Sequence, residues 1–208
     1  MTDVLKSLKY TFTIYSHPFD GFWFMKSQKK ATAKTGIVIL FLLLVTTSIR
    51  IYTTGYILSS ISLTNFSVWL MMLVIIGVIL LYCTANWALT TLLDGKGTFS
   101  EIFTSLMYSV SPIVIMNLPM TLISNLISYE GIAFYNFINI VTFAWAVFLL
   151  LAANHSIHDF TMTKSVIILL ITLIFMLLII VIGILFINLC QQVYVWIAAI
   201  VQEFAYRL

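Results

Sequence analysis

SVIILLITLIFMLLIIVIGILFINL, residues 165–189, carries no charged side chain, and its reading decides the fold. A helix needs about 20 apolar residues to cross the roughly 30 Å of bilayer hydrocarbon. The stretch lacks the period-2 alternation of a barrel strand. It therefore reads as a membrane-spanning helix. Four further runs meet the same criterion: Gly36–Leu58, Val68–Leu93, Leu106–Ile127 (interrupted by Pro112 and Pro119) and Ala133–Ala153. The expected fold is an all-α integral membrane protein with five transmembrane helices.

Composition agrees. The chain has 208 residues, 62% of them hydrophobic and 8% charged, whereas soluble domains carry roughly a quarter charged residues. Too little charge is available to build a surface in water. The net charge of +3 is too small to point to a nucleic acid partner. Cys83 and Cys190 lie within or at the end of apolar segments and read as small hydrophobes rather than a disulfide framework. No compact apolar leader with a cleavage site is expected before residue 36.

The basic residues are concentrated. Lys6, Lys9, Lys26, Lys29, Lys30 and Lys34 precede the first span, and Lys96 and Lys164 fall in loops on that same side. The opposite loops, Ser59–Ser67 and Ser128–Ile132, hold no Lys or Arg. Loop charge sets orientation, so the N-terminus is expected inside and the C-terminus outside. Residues 1–35 then form a cytoplasmic interfacial segment, 36–189 the five-helix domain, and 190–208 a short outside tail. Leu5, Leu8, Phe12 and Tyr15 recur at helical spacing, which predicts an amphipathic helix in the membrane plane. Pro18 should break it, with Asp20 capping a second short turn. HPFDGFWFMKSQKK, residues 17–30, places aromatic rings at headgroup depth beside lysines that face lipid phosphates.

Ionisable side chains within a membrane usually mark function, and Arg50 alone stands deep in a span. It is expected to snorkel outward past Tyr52 and Tyr56, with a pair to Glu130 as the alternative. Asn117, Thr121, Ser124 and Ser128 step by four, three and four, which places them on one helical face. Asn86 and Thr90, and Asn139 and Thr142, add polar groups to the second and fourth spans. The stripe reads as interhelical glue or as a polar path for a solute. Glue is preferred, because four small polar groups without converging partners make a poor channel. Hydroxyl or amide donors are expected to serve carbonyls freed by the prolines.

His155, His158 and Asp159 lie close in one loop, but two imidazoles with His17 distant in sequence fall short of a zinc site. No metal and no cofactor are expected. Asp159 is read as a cap for the helix entering the fifth span. Nucleophile elbows, paired aspartates and phosphate loops are lacking, so the chain is not read as an enzyme.

Several segments resemble the Yip family, the Ypt/Rab-interacting multispanning membrane proteins, in their shorter prokaryotic form. They are HPFDGFW before the first span, ANWALTTLLDGKGTFSEIF at the end of the second, YSVSPIVIMNLP in the third, and HDFTMTK before the fifth. The resemblance implies five spans and a cytoplasmic N-terminus, and suggests a bacterial plasma membrane. It also implies an adaptor that binds other membrane proteins, transporter subunits among them, through a cytoplasmic face. That face would join the N-terminal segment, the Asp94–Phe103 loop and the His155–Lys164 loop. Asp20, Trp23, Asn86, Trp87, Asp94 and Gly95 are the residues expected to organise it. Gly95 and Gly97 are expected at positive φ, aiming Phe99 and Phe103 back to the membrane. The alternative is a permease or accessory subunit of a transporter, such as one of the ABC type, with Asn117, Thr121, Ser124 and Ser128 lining a path. A lipid-binding role for the N-terminal helix is a third reading. The oligomeric state is open.

Overall fold

The computed structural model describes residues 2–28, 31–55, 58 and 67–207. Lys29, Lys30, Tyr56 and all of the Ser59–Ser67 loop except Ser67 lie outside the described residues. Among the described residues seven α-helices follow one another: α1 (Thr2–Ser16), α2 (Pro18–Ser27), α3 (Ala33–Thr53), α4 (Val68–Leu92), α5 (Phe99–Ser124), α6 (Ile132–His158) and α7 (Met162–Arg207). A short 3-10 turn, Tyr129–Gly131, precedes α6. Five of these helices are long and apolar enough to cross a membrane.

Local chemistry explains where the helices start. Ser67 caps α4 by accepting the Leu70 N–H. Thr98 and Glu101 form a reciprocal capping box, so α5 begins at Phe99, a full two turns before the apolar run that announced it. Pro18 occupies the first turn of α2, where its missing N–H costs nothing. Asp20 lies in that first turn and is not the cap; His17 holds the cap position and makes no side-chain cap bond. Thr161, not Asp159, serves α7, its hydroxyl accepting the Lys164 N–H.

α5 is the centre of the bundle, packed against α3, α4 and α6. Its most apolar stretch is 56% buried inside the protein, against 11% for α7. That contrast follows from sequence: α5 carries small polar residues that pack closely, while α7 is nearly all large aliphatics that lipid solvates well. Pro112 leaves the Tyr108 carbonyl without its helical donor, and the Ser111 hydroxyl donates to it. The Tyr15 hydroxyl meets Ser111 at 2.7 Å, tying α1 to this point.

α1 is stitched to the bundle rather than lying free of it. Its fully buried positions are Ser7, Thr11 and Ile14; of the expected apolar face, Leu8 and Tyr15 are partly buried and Phe12 is exposed. The Tyr108 hydroxyl donates to the Ser7 carbonyl at 2.8 Å, and the Tyr10 hydroxyl donates to the Gly21 carbonyl at 2.7 Å. Ile14 joins Phe22 and Met25 of α2 in the main core. Both tyrosine hydroxyls thus end on backbone carbonyls, one joining α5 to α1 and the other α1 to α2.

α7 does not end near Leu189. It runs as one helix of 46 residues, roughly 69 Å at 1.5 Å per residue, more than twice the hydrocarbon thickness.

Candidate functional site

Three segments meet at the lysine-rich end of the bundle, and Asp159 is where they join. α6 ends with Asp159 in the left-handed conformation, φ 56°, and the Phe160 N–H returns to the His155 carbonyl at 3.2 Å. α4 ends in the same way: Asp94 has φ 61° and the Gly95 N–H returns to the Thr90 carbonyl at 2.7 Å. Both are the 6→1 closure that satisfies orphan carbonyls at a helix C-terminus. Aspartate occupies the left-handed position in each, a role its short polar side chain tolerates.

This overturns the expected role of the glycines. No glycine of the described residues has positive φ. Gly95 and Gly97 are needed for want of room. A Cβ on Gly95 would sit 2.7 Å from His158 Nδ1 and 2.9 Å from the Thr90 carbonyl oxygen. On Gly97 it would sit 2.6 Å from His158 Cε1. The Gly97 N–H donates to His158 Nδ1 at 3.3 Å, which requires that nitrogen to be unprotonated. The imidazole is buried and stacks on Phe160, with centroids 5.3 Å apart.

Charge completes the junction. The Asp159 carboxylate lies 3.5 Å from Lys26 of α2 and 3.2 Å from Lys96 of the α4–α5 loop. Desolvation pushes this carboxyl up, but Lys96 and Lys26 outweigh it and hold it below the ordinary carboxylate range. Lys26 also donates to the Ile157 carbonyl at 2.6 Å, and Lys164 to the Leu93 carbonyl at 2.9 Å. The Ser156 hydroxyl donates to the Phe19 carbonyl at 3.1 Å, binding α2 to α6.

Beside this junction lies an open cavity of about 300 Å³ lined by Phe19, Asp20, Trp23, His155, Ser156, Asp159 and Phe160. Asp20 is exposed and has no ion-pair partner among the described residues, and Trp23 is half exposed. His155 Nδ1 is buried without a hydrogen-bond partner. The structure therefore brings Asp20 and Trp23 together with the His155–Phe160 turn.

The other expected face residues lie apart from it. Asn86 is buried, and its amide donates to Thr172 of α7 at 3.4 Å, joining two helices. Trp87 is half exposed and meets Phe99 edge-on, with centroids 6.4 Å apart. Asp94 is exposed at the end of α4, and Gly95 packs against His158. Sequence reasoning missed Lys26 and Lys96 as partners of Asp159. Their shared side of the membrane was the available signal.

At the opposite end the polar stripe is closed on itself. Asn117, Thr121 and Ser124 are buried. The Thr121 hydroxyl donates to the Asn117 carbonyl at 2.7 Å, and Ser124 accepts the Gly55 N–H at 3.1 Å. Ser128 is exposed and lies beyond the end of α5 at Ser124, so it does not extend the face. Arg50 neither snorkels outward nor pairs with Glu130. Its guanidinium turns into the bundle, donating to Asn117 Oδ1 at 2.9 Å, Asn139 Oδ1 at 2.8 Å and the Tyr135 hydroxyl at 3.2 Å. Three neutral acceptors from α5 and α6 outcompete one exposed carboxylate that is already solvated. Among the described residues no cluster of three or more His, Cys, Asp or Glu is placed to hold a metal ion.

The five apolar helices and their lipid-facing exteriors define a multispanning α-helical membrane protein, embedded in the bilayer. The Yip1 domain model matches residues 12–185, and the chain belongs to that family. No curated protein and no solved structure shows significant similarity to it.

Proposed function

We propose that this protein is an integral membrane adaptor that binds other membrane proteins through its lysine-rich face, which we place in the cytoplasm. The observation that carries the reading is the cavity of about 300 Å³ between α2 and the α6–α7 turn. Aromatic walls from Phe19, Trp23 and Phe160 suit an apolar stem, and the unpaired Asp20 carboxylate suits a cation at its tip. A juxtamembrane segment with a basic side chain flanked by apolar residues has that chemistry, and docking on a largely pre-formed cavity keeps the ordering cost low. We place the protein in a bacterial plasma membrane with the C-terminus outside, an orientation that the loop charges support.

The permease reading draws less support. Its stripe residues are spent on internal hydrogen bonds, and Ser128 stands apart from them.

The test is affinity purification of the full chain in mild detergent, comparing wild type with Asp20→Lys and Trp23→Ala. Both positions are exposed, so both variants should fold. Loss of the same co-purifying membrane protein from both supports docking. Equal recovery from wild type and both variants would refute it.

A further inference from the structure

The Arg50 guanidinium is held in place but not neutralised. It has five N–H donors, and three go to Asn117, Asn139 and Tyr135. All three acceptors are neutral. No carboxylate pairs with the cation among the described residues, and Glu130 stays exposed. Neutral amide oxygens orient a guanidinium, yet leave its full charge beside a low-dielectric medium, where an unpaired ion is costly. An arrangement of this kind is completed by an anion.

Depth specifies which anion. α3 ends at Thr53, so Arg50 lies three residues inside, about 4.5 Å by helical rise. That is the level of the headgroup boundary at the end of the bundle away from the lysines. Phosphate oxyanions carry full negative charge at that level, and charge-assisted N–H bonds to them are short and strong. Nη2 spends both its N–H groups on Tyr135 and Asn139 and Nη1 spends one on Asn117, so the Nε N–H and one Nη1 N–H are left as separate single donors to such an oxyanion.

We propose that Arg50 binds a phosphate oxyanion at this end of the bundle, carried by a lipid headgroup or present as free phosphate. Asn117, Asn139 and Tyr135 are the positioning residues. Asn117 is itself braced, its amide donating to the Thr46 and Thr47 hydroxyls at 3.3 Å each. The site thus fastens α3, α5 and α6 to one another and to the ligand.

The test uses the full chain in nanodiscs that contain phosphatidylglycerol with a photoactivatable headgroup. Cross-linked peptides are mapped by mass spectrometry. Cross-links within residues 46–54 and 135–142 are expected in the wild type, beside those at the lysine-rich N-terminal segment. Arg50→Gln should lose the former several-fold and leave the N-terminal set unchanged. Their absence in the wild type, or an undiminished yield in Arg50→Gln, overturns the proposal. Should Arg50→Gln fail to insert, Arg50→Met is read by the same criterion, because it removes the charge and keeps an unbranched apolar stem. Excess inorganic phosphate separates the sources: competition assigns the site to the free anion, and persistence of the cross-links assigns it to lipid.

Discussion

Replacing Gly97 by alanine probes the junction most directly. The added Cβ would lie 2.6 Å from His158 Cε1, 2.7 Å from Ile157 Cγ2 and 3.1 Å from His158 Nδ1. The imidazole cannot swing aside freely, because it is buried and stacked on Phe160. Overpacking of this kind costs about 1–3 kcal/mol. His158→Ala removes two of the three crowding atoms, while the third, Cγ2 on the branched Cβ of buried Ile157, stays. His158→Ala should therefore recover part of the Gly97→Ala loss, a coupling of about 1 kcal/mol in a double-mutant cycle. Gly95→Ala is the contrasting case. There the obstruction includes the Thr90 backbone carbonyl at 2.9 Å, which no side-chain deletion removes, so His158→Ala should leave Gly95→Ala largely unrescued. Reversible unfolding in detergent, followed by tryptophan fluorescence, reports all the variants on one scale. If His158→Ala rescues both glycine variants equally, or neither, close packing against the imidazole is not why these positions are glycine.

Other expectations follow from single contacts. The Asp159 carboxyl is held below its ordinary range by Lys96 and Lys26 against a desolvation that raises it. A depressed folded value stabilises the folded state above the unfolded pKa, and that contribution is lost as pH falls below about 4. The exchange protection of residues 93–98, taken relative to the intrinsic amide rate at each pH, should fall over that range in the wild type, and Asp159→Asn should abolish this pH dependence while tolerating the left-handed backbone. Asn117→Leu removes hydrogen bonds to Arg50, Thr46 and Thr47; at about 0.6 kcal/mol each in a membrane, it should destabilise the bundle by roughly 2 kcal/mol, measured by the same unfolding assay. Truncation after Leu189 removes residues that are nearly all exposed, so the unfolding midpoint of the remaining chain should hold, with a change of no more than about 0.5 kcal/mol.

Much of this molecule is legible one segment at a time. The stretch 165–189 has to be a spanning helix because its summed transfer from water to hydrocarbon is favourable despite Ser165, Thr172 and Asn188, a sum that needs no knowledge of neighbours. The same holds for the other four spans. The capping box at Thr98 and Glu101 was also present in the sequence, and its three-residue spacing would have started α5 at Phe99. The lysine distribution already marked one end of the bundle as a face, and Asp20 and Trp23 do line a cavity there.

The direction in which Arg50 points was not legible, nor was the side of α1 that is buried. Arg50 has a long side chain with an outward and an inward solution of similar reach, and only the convergence of Asn117 and Asn139 from two other helices selects the inward one. Gly95 and Gly97 looked like turn glycines because flexibility is their commonest use, whereas the positive φ belongs to Asp94 and Asp159. His158, more than sixty residues away, crowds both glycine positions, and Thr90 crowds Gly95 as well. Transfer from water to lipid is additive along the chain, so sequence alone determined that this protein crosses the membrane and where. Hydrogen bonds, ion pairs and close contacts depend on which surfaces meet, so only the tertiary structure decided how its polar residues are used.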